Sequence, residues 1–208
     1  MIRAIFFDYD GVLTTDKTGS LTTNRYLSKS TGIDHELIRE AFLKYNKDLN
    51  TGKIAHSEIL EDLCTALNCE ISQDLLRRAF ESTPMNDGMF RLARKLRETY
   101  RLGIITDNKK DRMDHLRRFQ ELESLFDPIV VSSDVGSSKE SSEIFKHALG
   151  CLKICAKDSI FIDNNMKNLV VPNALGMNTV FYDDERNDIE ELISILKGKF
   201  GIGVGHDA

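Results

Sequence analysis

At 208 residues the chain has room for one large domain, or for a domain with a modest insertion, and either can bury a real core. Hydrophobic residues at 41% and charged residues at 29% are ordinary for a soluble globular protein. The net charge of −5 argues against a nucleic-acid partner, which requires a basic footprint, and no apolar run approaches the length of a membrane span.

The amino-terminal run Ile2–Phe7 is β-branched and aromatic, as in a short buried strand. It stops at Asp8-Tyr9-Asp10-Gly11, without the shape of a signal peptide, and the cytoplasm is the expected location. Asp8 and Asp10 would then stand at the strand's carboxyl end, where open α/β sheets place their ligand crevices. Two carboxylates so close repel, and a divalent cation is the simplest compensation. Gly11 permits a turn that brings backbone N–H groups towards an anion. Taken alone, the same spacing fits an ordinary Asp-rich turn.

From about Asp16 to Ser82 the pattern is helical. Apolar residues recur at helical spacing along Asp34–Leu49, with Asp34 as N-cap, and again along Ser57–Leu67 and Ser72–Phe80. From Asp87 the texture changes to alternating helices and strands. Strands are expected near Leu102–Thr106, Ile129–Ser132, Ser159–Asp163 and Thr179–Tyr182. Helices are expected at Asp87–Tyr100, Lys109–Gln120, Glu140–Leu149, Lys167–Leu175 and Asp188–Leu196. This alternation predicts right-handed βαβ units and a mostly parallel sheet covered by helices on both faces. Gly198–Ala208 reads as a flexible tail. The four cysteines form no C-x-x-C pair and read as free thiols.

Four segments together resemble the motifs of the haloacid dehalogenase-like hydrolases. They are Asp8-Tyr9-Asp10-Gly11-Val12-Leu13-Thr14, the strand ending in Thr106-Asp107-Asn108, Ser137-Ser138-Lys139, and Ile162-Asp163-Asn164-Asn165. The resemblance runs to about Leu196 and implies a Rossmann-like α/β fold with strand order 5-4-1-2-3. It divides the chain into a core of residues 1–15 and 83–197, an inserted α-helical cap of residues 16–82, and the tail.

The resemblance further implies a Mg2+-dependent phosphomonoesterase acting on a small phosphorylated metabolite. Asp8 would be the nucleophile and form an aspartyl-phosphate; Asp10 would serve as acid and then base. Thr106 and Lys139 would complete the catalytic set. Gly11, Thr106, Asp107, Asn108 and Lys139 would hold phosphate, and Asp8, Asp10, Asp163 and Asn164 would hold Mg2+. Asp10 favours phosphatase over dehalogenase chemistry, since an alkoxide leaving group needs a proton and a halide does not.

Relatives usually carry two adjacent acids where this chain has Asp163-Asn164, so either Asp163 or the neutral Asn164 carbonyl would be the ligand. Glu140 stands where proline is frequent. Lys109 and Lys110 read as surface charge. Lys53 is a candidate to reach the site from the cap, although a lysine at a helix–helix turn needs no such role. The alternatives are a phosphosugar mutase of the same superfamily and a non-catalytic relative that binds a phosphorylated ligand or a protein.

Overall fold

The computed structural model describes residues 1–203. Five parallel strands form one sheet in the order β3-β2-β1-β4-β5, the expected 5-4-1-2-3 arrangement seen from its other edge. They are β1 (Ala4–Phe7), β2 (Arg101–Thr106), β3 (Ile129–Val131), β4 (Ser159–Asp163) and β5 (Asn178–Phe181). β1 and β4 are buried along their whole length, which is why they read as continuous apolar runs and not as an alternation. In register, Phe7 of β1 lies between Ile104 of β2 and Ile162 of β4. Asp8, Thr106 and Asp163 therefore emerge side by side at the carboxyl edge. Two apolar layers flank the sheet, one containing Ile5, Phe7 and Ile104, the other Phe6, Ile105 and Phe161.

The region between β1 and α6 (Asp87–Arg97) is helical, with α1 (Gly19–Thr31), α2 (His35–Leu43), α3 (Asn46–Asn50), α4 (His56–Leu67) and α5 (Gln73–Glu81). α1 packs on α2 and α5, and α2 packs on α4, so these helices are mainly one another's partners. The incoming and outgoing connections pair as a short antiparallel ladder. Thr14 bridges Met85, Thr15 N–H donates to the Pro84 carbonyl at 3.0 Å, and Asn86 N–H donates to Leu13 at 2.9 Å.

Three expectations need correction. The single helix expected at Asp34–Leu49 is broken at Lys44–Tyr45, where Tyr45 N–H bonds back three residues to Phe42 at 3.0 Å. The turn re-aims α3 so that the Asn50 carbonyl receives the Ser132 hydroxyl at 2.7 Å. The helix expected near Lys167–Leu175 is a 3₁₀ turn, Met166–Leu169, followed by α10 (Val170–Ala174), with Pro172 in its short span. The expected tail begins too early. The last helix, Ile189–Phe200, runs past Gly198 and ends on Gly201 at φ +67°, and Ile202 is buried. Residues 204–208 of that expected tail lie outside the described residues.

The remaining helices are α7 (Lys110–Phe119), α8 (Ser132–Val135) and α9 (Ser142–Leu152), so the terminal one is α11. All four cysteines are free thiols. Among the described residues no helix is long and apolar enough to cross a membrane.

The helical region is tied to α7 through His56. Its buried ring lies between Phe42 and Phe80, with centroids 6.0 and 5.3 Å away, and its Nδ1 is 2.7 Å from Asp111 Oδ1. The pairing holds the Asp111 carboxyl below its usual range even though burial pushes the other way. His56→Ala is expected to cost about 2–4 kcal/mol in chemical denaturation, from a cavity and a lost charged hydrogen bond together. His56→Phe should recover only the packing part, so equal losses for the two variants would contradict this division.

Candidate active site

The floor of the site is built on the ends of the three central strands. Asp8 follows β1, and its N–H continues the sheet by donating to Ile162 of β4 at 2.8 Å. Its carboxylate accepts the Tyr9 N–H at 2.7 Å and lies 2.9 Å from Lys139 Nζ. The same ammonium is 2.7 Å from Asp163 Oδ2. Lys139 sits in the segment between α8 and α9, where its own N–H donates to Asp107 Oδ1 at 2.9 Å. Asp8, Lys139 and Asp163 are all buried.

One ammonium between two carboxylates leaves the floor with excess negative charge. Burial pushes the Asp8 carboxyl upward against the pull of Lys139, with Asp163 and Asp10 adding to the rise. Burial alone would lower Lys139, but Asp8, Asp163 and Asp107 hold it above its ordinary value. Both directions have the same origin. Burial likewise raises Asp107.

Asp10 lies one turn on, inside the tight loop Tyr9–Leu13, and its carboxylate is gripped by a residue that sequence reasoning passed over. Arg112 of α7 places Nη1 2.9 Å from Asp10 Oδ2 and Nη2 2.9 Å from Oδ1. Asn108 Nδ2 adds a third donor at 2.8 Å. The guanidinium is only 1% exposed, so this is a buried two-pronged pair, among the strongest contacts a carboxylate makes. Arg112 also donates to Asn108 Oδ1 at 2.9 Å and Thr83 Oγ1 at 3.1 Å. Gly19, at the start of α1, lies flat on the guanidinium, and a Cβ there would fall 2.2 Å from Arg112 Cζ. No local pattern announces this role, because an arginine in a charged helix ordinarily reads as solvated surface. Its burial comes from α1 and Thr83, far away in sequence.

The two acidic-loop candidates are used differently. Asp163 is fully buried, and besides Lys139 it accepts Asn165 N–H at 2.7 Å and the Asn168 amide at 3.1 Å. Asn164 instead lines the cavity above Asp8 and packs on Gly11. At φ +79°, with Asn164 Nδ2 2.1 Å from the place a Cβ would take, position 11 accepts only glycine. Among the described residues, no three His, Cys, Asp or Glu side chains are grouped to hold a metal.

A cavity of about 810 Å³ opens above this floor, within the ~300–1,000 Å³ typical of small-molecule sites. Asp8, Asp10, Thr106, Asp107, Asn108, Lys139 and Asn164 all line it. Gly11 supports it from beneath Asn164. Lys53 is not in the wall; its Nζ stands 3.5 Å from Asp48, and Asn46 and Asn50 of α3 face the cavity in its place. Lys109 was expected at the surface and is not there. It is 91% buried, as a relative exposure of 9% states, and its Nζ donates to Ser20 of α1 at 2.9 Å. Lys110 does behave as surface charge, 57% exposed and paired with Asp134 and Asp114.

Comparison with known proteins gives a consistent picture. Residues 5–182 match the family described as haloacid dehalogenase-like hydrolase. The chain is 24% identical to bifunctional epoxide hydrolase 2 of Rattus norvegicus over 221 residues, covering 96% of this chain but only 40% of the length of that protein. It is 26% identical to the glyceraldehyde 3-phosphate phosphatase of Pyrococcus abyssi, covering 88% of this chain and 82% of that one. Among solved structures, a HAD family enzyme of Bacteroides thetaiotaomicron in complex with magnesium and inorganic phosphate superposes with a TM-score of 0.68. That match has 19% identity and covers 88% of this chain and 96% of the other.

Proposed function

The chain belongs to the haloacid dehalogenase-like hydrolases, and from that premise we propose that it is a Mg2+-dependent phosphomonoesterase for a small phosphorylated metabolite. The observation that carries this reading is the contact of a buried carboxylate, Asp8, with a buried ammonium, Lys139, on the floor of the cavity. A nucleophile for phosphorus and a cation for the phosphoryl oxygens would thus be preassembled on buried side chains.

In this reading an Asp8 oxygen attacks phosphorus in line, the ester oxygen departs, and an aspartyl-phosphate forms. The Lys139 ammonium and the Thr106 hydroxyl take up the phosphoryl oxygens, with Asp163 and Asp107 fixing where Lys139 points. Asp10, in the form that carries a proton, would pass it to the leaving oxygen and, as the carboxylate so formed, would take one back from the hydrolytic water. Both of its oxygens are engaged in the structure, so it must exchange one Arg112 or Asn108 contact for the substrate.

The residues that suit Mg2+ are the Asp8 carboxylate, the Asp10 backbone carbonyl and the Asn164 amide oxygen, all hard oxygen donors. Asp163 is committed to Lys139, Asn165 and Asn168. The bound ion would offset the repulsion between carboxylate and phosphate. The magnesium and phosphate held by the Bacteroides thetaiotaomicron enzyme, and the phosphatase relative from Pyrococcus abyssi, support this reading.

Residues 16–82 would form the cap, hinged at the paired connections around Thr14–Thr15 and Pro84–Asn86, and such a small cap suits a small substrate. Free thiols throughout fit a reducing, cytoplasmic setting.

The test is hydrolysis of an aryl phosphate with and without Mg2+. Phosphate release with metal alone is the expected result; isomer conversion of a sugar phosphate without release would favour a mutase. A set with one carboxylate donor should bind the dication weakly. Asn164→Asp is expected to lower the half-saturating Mg2+ concentration on the order of tenfold, in activity and in calorimetry of the metal alone. An unchanged midpoint would return the ligand role to Asp163.

A further inference from the structure

Among the described residues Lys109 is a cation without a counter-anion in contact. It is 9% exposed and lines the cavity, and among the described residues its ammonium has one hydrogen-bond partner, the neutral hydroxyl of Ser20 at 2.9 Å. Among the described residues no carboxylate lies within salt-bridge distance of its Nζ. Asp10 and Asp111, the acids whose fields favour its charge, are already taken by Arg112 and His56. Burial and the neighbouring Arg112 charge pull Lys109 down to about 8.

A buried unpaired ammonium is costly, and an anion arriving beside it would relieve that cost. The surroundings of Lys109 suit that arrival. Gly19 and Ser20 form the first turn of α1, a helix of 13 residues, and both line the cavity. The cap Thr18 spends its side chain on Leu21 N–H, so the N–H groups of Gly19 and Ser20 remain for a ligand at the positive end of the helix. Lys17 stands exposed at the same wall.

Resting on the phosphatase reading above, we propose that Lys109, Ser20 and the first turn of α1 form a second anion subsite, and that the preferred substrate is a phosphomonoester bearing a further anionic group, carboxylate or phosphoryl. Asp8 and Lys139 receive the phosphate to be transferred. Lys109 receives the other charge and in so doing bridges the core to α1, so a correctly charged substrate also draws the helical region down over the cavity. Lys109 is thus a specificity-determining residue.

The experiment compares matched pairs of esters on wild type, Lys109→Gln, Lys109→Arg and Lys110→Gln. Phosphoglycolate is set against 2-hydroxyethyl phosphate for the carboxylate arm, and a hexose bisphosphate against the hexose monophosphate for the phosphoryl arm. In wild type, kcat/KM should favour the doubly anionic partner of at least one pair by about ten- to hundredfold, expressed chiefly in KM. Lys109→Gln should collapse that ratio towards one, while Lys109→Arg retains part of it and Lys110→Gln, on the surface, retains all of it. Because the charged lysine is disfavoured by its burial, the glutamine variant should fold.

Equal turnover of both members of both pairs by wild type overturns the subsite, with Mg2+-dependent hydrolysis itself showing that the phosphatase reading stands. Equal loss on both members in Lys109→Gln also overturns it, since Lys109 would then act only through packing. If no ester is hydrolysed, the phosphatase reading falls, and calorimetry decides the subsite separately. Phosphonoacetate should bind wild type more tightly than methylphosphonate, with the difference abolished in Lys109→Gln; equal binding to wild type overturns the proposal.

Discussion

Asp8→Asn is expected to abolish turnover while leaving the protein at least as stable as wild type. The amide is nearly isosteric, but it is a very poor nucleophile for phosphorus, so kcat should fall by about 10⁴ or more. The stability side follows from the charge on the floor. The Asp8 carboxyl is pushed from its ordinary 3.8 up to about 8, by burial first, against Lys139 and with help from Asp163 and Asp10. A carboxyl with a raised folded pKa contributes its stability below the unfolded pKa and loses it as pH rises towards the folded one. The neutral amide escapes that loss. Thermal unfolding in EDTA, which keeps a stabilising cation away, should therefore show the variant gaining on wild type as pH rises from about 4 to about 8. Lys139 keeps Asp163 as a partner, so no buried ammonium is stranded. Retained hydrolysis in a purified sample would remove Asp8 from the nucleophile role. A variant less stable at pH 8 than at pH 5, relative to wild type, would contradict the charge argument.

The contrast between what was legible in the chain and what was not has a physical basis. β1, β2 and β4 are buried along nearly all of their length, so each is written as a largely apolar run that stops at a polar residue, Asp8, Thr106 or Asp163, at the crevice. Asp8, Thr106 and Asp163 were readable for that reason, and so was the parallel sheet that aligns them. Arg112 and Lys109 were not. A charged residue in a helix or at its start is ordinarily solvated, and nothing nearby in sequence says that α1 will lie over both.

α1 itself was the least conspicuous helix, for a related cause. Its buried side carries Gly19, Thr22, Thr23 and Asn24 besides Leu27, so it packs on α2 and α5 largely through small and polar residues, and only its first turn reaches the cavity. Helical periodicity in hydrophobicity reports helices with an apolar buried stripe and is silent about one whose packed face is small and polar. The break at Lys44–Tyr45 was hidden similarly, since α2 and α3 continue one apolar stripe while pointing Asn46 and Asn50 to the cavity.

Lys139→Ala should damage both function and fold, and the two losses are separable. Removing the ammonium leaves Asp8 and Asp163 facing each other, buried and without a cation, a change that typically costs about 3–5 kcal/mol. The same truncation takes away the fixed positive charge for the phosphoryl oxygens, for which a fall in kcat of about 10²–10³ is the expected scale. The stability deficit should shrink as pH is lowered from 8 to 5. Without Lys139 the pressure on Asp8 is upward from every side, so its neutral form is retained over more of that range. Lys139→Met combined with Asp163→Asn removes the cation together with one of its carboxylates. Urea denaturation should show that double variant regaining most of the lost stability, whereas its aryl phosphatase activity stays as low as that of Lys139→Ala. Recovery of activity along with stability would mean that Lys139 serves only to neutralise the floor. A persistent activity loss in a restored fold places its charge on the phosphoryl group.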